Sequence, residues 1–295
     1  MRQKKMICVS KGHTAVLLVL LAIVPHVAHA QGVVSSTKNP LQIATLHWYD
    51  ANETTQFPVG QFPYGLAFDG ANIWAANLLD STVTKLRASD GANLGTFPVG
   101  SDPQGVAFDG ANIWVTNCGP TGAPGNTVTK LRASDGMTLG TFVVGNCPSP
   151  VAFDGGNIWV GNRSSNTVTK LRASDGATLG TFAVGSGPLG VAFDGTNIWV
   201  TINGKLGAFG NTVTKLRRDG TILGTFAVGN SPVGVVFDGA NIWVANGASN
   251  TVTKLRARDG AHLGTFAAGN GPFWLAFDGT NIWVTNLDGN TVSKL

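Results

Sequence analysis

Charge is scarce in this chain: only 12% of its 295 residues are Asp, Glu, Lys or Arg, and Glu53 is the single glutamate. That scarcity excludes coiled coils and leaves nothing from which to build a disordered acidic or basic tail. Histidine and cysteine are thin as well, with 5 and 3 residues, so a His-rich metal cluster has no raw material. Long apolar runs are also missing. Ala15 to Val24 is a run of ten, against about 20 needed to span a bilayer, and no later stretch approaches it. What is plentiful is glycine, at 40 residues, together with eight Trp and fifteen Phe in a chain that is 43% hydrophobic. A helical protein does not readily absorb that much glycine, whereas an all-β protein with many turns and a sizeable core does.

The formal charge of +4 comes from the first 30 residues, where Arg2, Lys4, Lys5 and Lys11 have no acidic counterpart. Those cations, the apolar run and Ala28-His29-Ala30 read as a secretory signal peptide over residues 1–30, cleaved before Gln31. The mature chain is then balanced and is expected to be periplasmic or secreted, with no transmembrane segment. The electrostatic footprint of a nucleic-acid binder disappears with the leader.

One phrase recurs through the rest of the chain. Its proline falls at Pro63, Pro103, Pro148, Pro188, Pro232 and Pro272, and the repeats begin near 61, 101, 146, 186, 230 and 270. Each of the first five copies holds four short β-prone runs, here called a to d, typified by GVAFD, NIWVAN, TVTKLR and LGTFAVG and separated by Asp-Gly, Asn or Gly-Pro turns. A four-stranded unit at this period predicts a β-propeller, a single domain over residues 31–295. The last copy stops after run c, and residues 42–60 align at an offset of 40 with residues 82–100, which end in run d. Six blades are therefore preferred, closed by an N-terminal strand pairing with the C-terminal blade. Run c occurs at both ends, which leaves seven open.

The phrase resembles the YVTN/YncE-type β-propeller repeat, whose tetrapeptide is matched by Ile113–Asn117 and Ile282–Asn286. The resemblance spans about residues 42–295 and implies a secreted binding or scaffold protein. NHL, streptogramin lyase-like and gluconolactonase-like propellers are more distantly similar. They imply an alternative, a metal-dependent lyase or hydrolase. The His and Glu that such a lyase places near its channel have no counterpart here, since Glu53, His47 and His262 fall on outer strands or opposite turns.

Most repeated residues have a structural explanation. The a–b turn aspartates, such as Asp69 and Asp154, suit turn chemistry, and the b-strand tryptophans, such as Trp74, each bury ~200 Å² worth up to ~5 kcal/mol. Lysines and arginines of run c, such as Lys170 and Arg172, are expected to keep solvated heads over the blade edges. The asparagines ending run b, such as Asn77 and Asn117, suit Asx turns.

Function is sought where the copies differ, on the face shared by the d–a and b–c connections. The residue after the proline is Tyr64, Gln104, Ser149, Leu189, Val233 or Phe273, and Trp274 replaces a glycine in the sixth copy. Two longer b–c loops, Cys118–Gly125 and Asn203–Gly210, flank the third copy and bring Arg163, Lys205 and Phe209 into consideration. These residues predict a rim for a protein, peptide or small-molecule ligand on a monomer. No organic cofactor is expected. Asp80, Asp102 and Asp288 are the weak candidates for a divalent cation, Ca²⁺ or Mg²⁺. Cys8 leaves with the leader, so Cys118 and Cys147, on one face of adjacent copies, are expected to form a disulfide.

Overall fold

A computed structural model describes residues 56–120, 122–205 and 208–295. The leader, its cleavage site, Glu53, His47 and most of the closing segment lie outside the described residues. The chain folds as six antiparallel sheets in sequence order, the six blades of a β-propeller. Blade 1 is β1 (Pro63–Phe68), β2 (Asn72–Asn77), β3 (Thr82–Arg87) and β4 (Asn93–Pro98). Blade 2 is β5 (Pro103–Phe108), β6 (Asn112–Asn117), β7 (Thr127–Arg132) and β8 (Thr138–Val143). Blade 3 is β9 (Pro148–Phe153), β10 (Asn157–Asn162), β11 (Thr167–Arg172) and β12 (Thr178–Ala183). Blade 4 is β13 (Pro188–Phe193), β14 (Asn197–Lys205), β15 (Ala208–Arg217) and β16 (Ile222–Ala227). Blade 5 is β17 (Pro232–Phe237), β18 (Asn241–Asn246), β19 (Thr251–Arg256) and β20 (His262–Ala267). Blade 6 has β21 (Pro272–Phe277), β22 (Ile282–Asn286) and β23 (Thr291–Lys294), three strands among the described residues. No helix among these residues is long and apolar enough to cross a membrane.

The b–c pairing runs without interruption, Asn72 opposite Arg87 through Asn77 opposite Thr82 in blade 1, except in blade 4, where it shifts between Ile202 and Gly204. The a–b and c–d ladders each contain an irregularity, between Pro63 and Leu66 and between Lys85 and Leu86. Such bulges add twist, which lets a sheet fan outward from the axis.

The core lies between blades. Trp74, Ala76 and Val83 of blade 1 meet Ile113, Val115 and Leu131 of blade 2, and equivalent layers follow through blades 5 and 6. Each b-strand indole is held from below by the turn before it. Trp74 Nε1 donates to Asp69 Oδ2 at 2.8 Å while Asp69 Oδ1 accepts from the Ala71 and Asn72 amides, and all six blades repeat the indole bond.

Two sequence expectations are corrected here. Lys85, Lys130 and Lys215 are buried rather than solvated. Lys130 Nζ lies 4.9 Å from the centre of the Trp114 ring and donates to the Ala173 and Ser174 carbonyls of the next blade at 2.7 and 3.0 Å. A neighbouring blade covers the strand face that alternation marks as polar, and its c–d turn supplies acceptors for the ammonium. The strand-b asparagines are likewise buried and form no Asx turns. Asn77 Nδ2 donates to Thr82 and Thr84, and its Oδ1 accepts from the Gly60 amide at 3.0 Å, latching strands b and c to the loop ahead of strand a.

Candidate functional site

The d–a and b–c connections share one face in every blade, because the first amide after strand b donates to the carbonyl two residues before the residue that follows the proline. Leu78 N reaches Phe62 O at 3.1 Å, Arg163 N reaches Cys147 O at 3.0 Å and Leu287 N reaches Gly271 O at 2.8 Å. This arrangement needs a left-handed residue before the proline. Gly187 and Gly271 adopt it at φ 66° and 65°, and Phe62, Asp102, Cys147 and Ser231 adopt it at 55°, 49°, 48° and 54°. Asp102 is thereby explained as a loop residue held in a strained conformation.

Strand a sets the width of the channel. A Cβ on Gly65, Gly105 or Gly190 would collide with the Gln104, Ser149 or Val233 carbonyl of the next blade, so these glycines permit direct strand-to-strand approach. Thr116 Oγ1 and Thr201 Oγ1 fasten the same contacts by donating to Ser149 O and Val233 O at 2.8 and 2.7 Å. Blade 3 carries Pro150 in the glycine's place, and Gly161 opposite leaves room for its ring. Blade 6 carries Trp274. Its indole meets the Tyr64 ring edge-on at 6.5 Å and the Phe273 ring at 5.3 Å, so an aromatic wedge stands between blades 6 and 1.

Of the expected rim residues, the structure brings together Tyr64, Phe273 and Trp274, all half-buried, with Gln104 beside them on blade 2. Ser149, Leu189 and Val233 are buried and offer no surface to a ligand. The rim therefore narrows to the side of blades 6, 1 and 2. Burial lifts the Tyr64 hydroxyl above the usual phenol range, and the charge of Arg163, two blades away, pulls downward without cancelling that rise. Arg163 is itself exposed. Its amide is anchored on Cys147, whose disulfide to Cys118 ties the long loop of blade 2 to the entry of blade 3.

The second long connection is not a loop but an extension of β14 and β15, with Gly204 paired to Phe209 and Lys205 to Ala208. Phe209 is 68% exposed there and Lys205 is exposed beside it. Asn203 Nδ2 fixes the base of this hairpin on Ser231 and Pro232 of blade 5, away from the aromatic wedge.

Three exposed apolar side chains on this face were not singled out from the sequence: Phe62, Leu79 and Leu287, at 60%, 61% and 62% exposure. The signal was available, because Phe62 stands where other copies have Asp, Cys, Gly or Ser. Asp80, next to Leu79, is engaged by the Gln61 amide at 2.7 Å. Among the described residues no three His, Cys, Asp or Glu side chains gather closely enough to hold a metal ion, so Asp80, Asp102 and Asp288 do not converge.

No family model matches this chain, and no curated protein matches it. Solved structures do. A virginiamycin B lyase from Staphylococcus aureus superposes with a TM-score of 0.64 at 17% identity, covering 79% of this chain and 83% of that one. A functionally unknown protein from Desulfotomaculum acetoxidans gives 0.63 at 16% identity, with 80% and 86% coverage. Kuenenia stuttgartiensis hydrazine synthase gives 0.56 at 14% identity, with 83% and 98% coverage. At these identities the likeness establishes the propeller fold and nothing about chemistry.

Proposed function

We propose that this protein is an exported, monomeric propeller that binds a peptide or small molecule at its top-face mouth, through an apolar or aromatic group seated on Trp274, Tyr64 and Phe273 and an anionic group facing Arg163. The observation that carries this reading is the replacement of the close-packing glycine of strand a by Trp274, which builds an aromatic wedge where blades 1, 2, 4 and 5 close through glycine contacts. A mostly apolar concavity with a few placed polar groups is the general character of ligand sites. Export is supported by the disulfide, which persists in oxidising compartments. Lys205 and Phe209 form a second edge that a longer peptide would reach. The lyase or hydrolase alternative gains no donor set from Asp80, Asp102 and Asp288.

The test uses 8-anilinonaphthalene-1-sulfonate, an aromatic anion, titrated into the mature chain. Trp274→Gly and Arg163→Ala are each expected to weaken its binding at least fivefold, with Phe209→Ala smaller in effect. Binding unchanged in both Trp274→Gly and Arg163→Ala would remove the mouth as the site. Thermal scans in EDTA and then in excess Ca²⁺ or Mg²⁺ accompany the titration. A rise of several degrees that EDTA reverses would favour the metal-dependent alternative.

A further inference from the structure

A cavity of about 410 Å³ opens on the seam between blades 4 and 5, among outer strands rather than at the mouth. One wall is the end of β16 and the residues after it, Ala227, Val228 and Gly229. The other wall comes from blade 5, with Ser249, Thr251 and Thr253 beside His262 and Thr265 of β20. No Asp, Glu, Lys or Arg lines it.

Comparison of the copies explains why this seam is open. In blades 1 and 3 the strand-c threonine shares a hydrogen bond with a strand-d threonine, Thr84 with Thr96 at 3.2 Å and Thr169 with Thr181 at 3.3 Å. In blade 4 Thr214 donates to the Val184 carbonyl of the preceding blade at 3.1 Å. Thr253 makes neither bond, although Thr265 lies directly opposite it. Thr265 Oγ1 is instead 2.9 Å from Nε2 of His262, which stands where other copies have Asn93, Thr138, Thr178 and Ile222. Blade 2 lacks both threonine bonds as well, but there the bulkier Pro98 holds the position that Ala227 holds in blade 4.

The hydroxyls of this wall are set as donors. The buried Asn246 amide donates from Nδ2 to Thr251 Oγ1 at 3.2 Å and to Thr253 Oγ1 at 2.9 Å, and the Asn230 backbone amide donates to Ser249 Oγ at 2.7 Å. Each oxygen already accepts a bond, so its own O–H is left to donate, and none of the three has an acceptor among the described residues. Three hydroxyl donors and an imidazole therefore face an aliphatic wall, with no carboxylate to hold a cation and only His262 to match an anion. That set suits a neutral molecule with many oxygen acceptors and an apolar C–H face.

We propose that the seam between blades 4 and 5 is a carbohydrate site, taking one neutral sugar ring whose oxygens accept from Ser249, Thr251 and Thr253 and whose C–H face lies on Ala227 and Val228. His262 and Thr265 form its rim. The site is separate from the mouth and does not depend on what binds there.

The experiment titrates D-glucose, D-galactose and maltotriose into the full mature chain and follows the threonine methyl and His262 ring signals by NMR, with inorganic phosphate as the anionic comparison. Saturable shifts at Thr251, Thr253 and His262 are expected with at least one sugar. Tighter binding of maltotriose than of glucose would mark a glycan end as the ligand, and equal binding a free sugar. Thr253→Val removes one donor at nearly constant shape and should weaken binding at least fivefold. Ala227→Val, which installs the residue that blade 2 carries at Val143, should do the same by narrowing the cavity and keeps the test decisive if Thr253→Val disturbs Asn246. Trp274→Gly should leave sugar binding unchanged. No saturable shift with any of the three sugars would overturn the proposal, as would shifts produced by phosphate alone, or sugar binding lost in Trp274→Gly and kept in Ala227→Val.

Discussion

Arg218 directly precedes the Asp-Gly of the blade 4 c–d turn, where blades 1 to 3 have Ser89, Ser134 and Ser174 and blade 5 has Arg258, and it fastens blade 4 to blade 3. Its guanidinium contacts the fully buried carboxylate of Asp154 at 2.9 Å and also donates to the Asp154 carbonyl. Burial raises the Asp154 pKa, but the Arg218, Trp159 and Asn157 hydrogen bonds outweigh it and leave the group below the usual carboxylate range. Asp69, Asp238 and Asp278 are held low by the same indole and amide donors. A carboxyl depressed in the folded state contributes stability above its unfolded pKa, about 3.9, and loses it as pH falls through the folded pKa. Acid is therefore expected to destabilise the protein progressively below about pH 4. Arg218→Ala should cost about 1 kcal/mol at pH 7, discounted because the guanidinium is partly exposed. That difference from the parent should shrink as Asp154 protonates in both. Denaturation midpoints measured from pH 7 to pH 2 check it, and a constant gap would show that the ion pair does not carry the effect. The surface pairs Arg87–Asp90 and Arg132–Asp135 are exposed on both sides and should contribute little.

At the scale of strands and turns, much was legible. The runs a to d correspond to strands because β-branched and aromatic residues alternate with Asp-Gly and Gly-Pro punctuation, a local signal. The buried lysines and asparagines were not legible, because the face they occupy is covered by another blade that sequence alternation does not reveal. The second long loop was misread for a related reason: Asn203 to Gly210 contains glycines that read as a loop, but Gly204 at φ 95° lets the b–c hairpin continue. Phe62 shows where strain collects. It holds φ 55° in the d–a loop with its ring 60% exposed, a conformation that glycine adopts in blades 4 and 6. Strain of this kind costs of order 1 kcal/mol and persists where function uses it. Phe62→Gly is expected to raise Tm by a few degrees while weakening 8-anilinonaphthalene-1-sulfonate binding. A variant neither more stable nor weaker in binding would remove Phe62 from the mouth.

Across the whole molecule, the repeat period revealed the propeller and favoured the six blades found, because each copy is one sheet that buries its faces only against its neighbours. The differences between copies were informative for the same reason: Trp274, Pro150 and Phe62 break a pattern whose geometry the other blades define. Their arrangement around the mouth was not legible, since burial of Ser149, Leu189 and Val233 depends on how closely strands a approach across the axis. The disulfide joins these two levels. It spans 29 positions, worth about 3.6 kcal/mol by loop entropy if the unfolded chain alone is constrained. Its local consequence is more specific, because Arg163 is hydrogen-bonded to the Cys147 carbonyl and so rests directly on the crosslink. Replacing both cysteines by serine should lower stability and also loosen Arg163. Well below Tm, with the circular dichroism spectrum unchanged, that variant should bind the aromatic anion as weakly as Arg163→Ala does. Adding Arg163→Ala to it should then weaken binding little further. Independent, additive losses would instead show that the crosslink and the guanidinium act separately, and that the disulfide serves the scaffold alone.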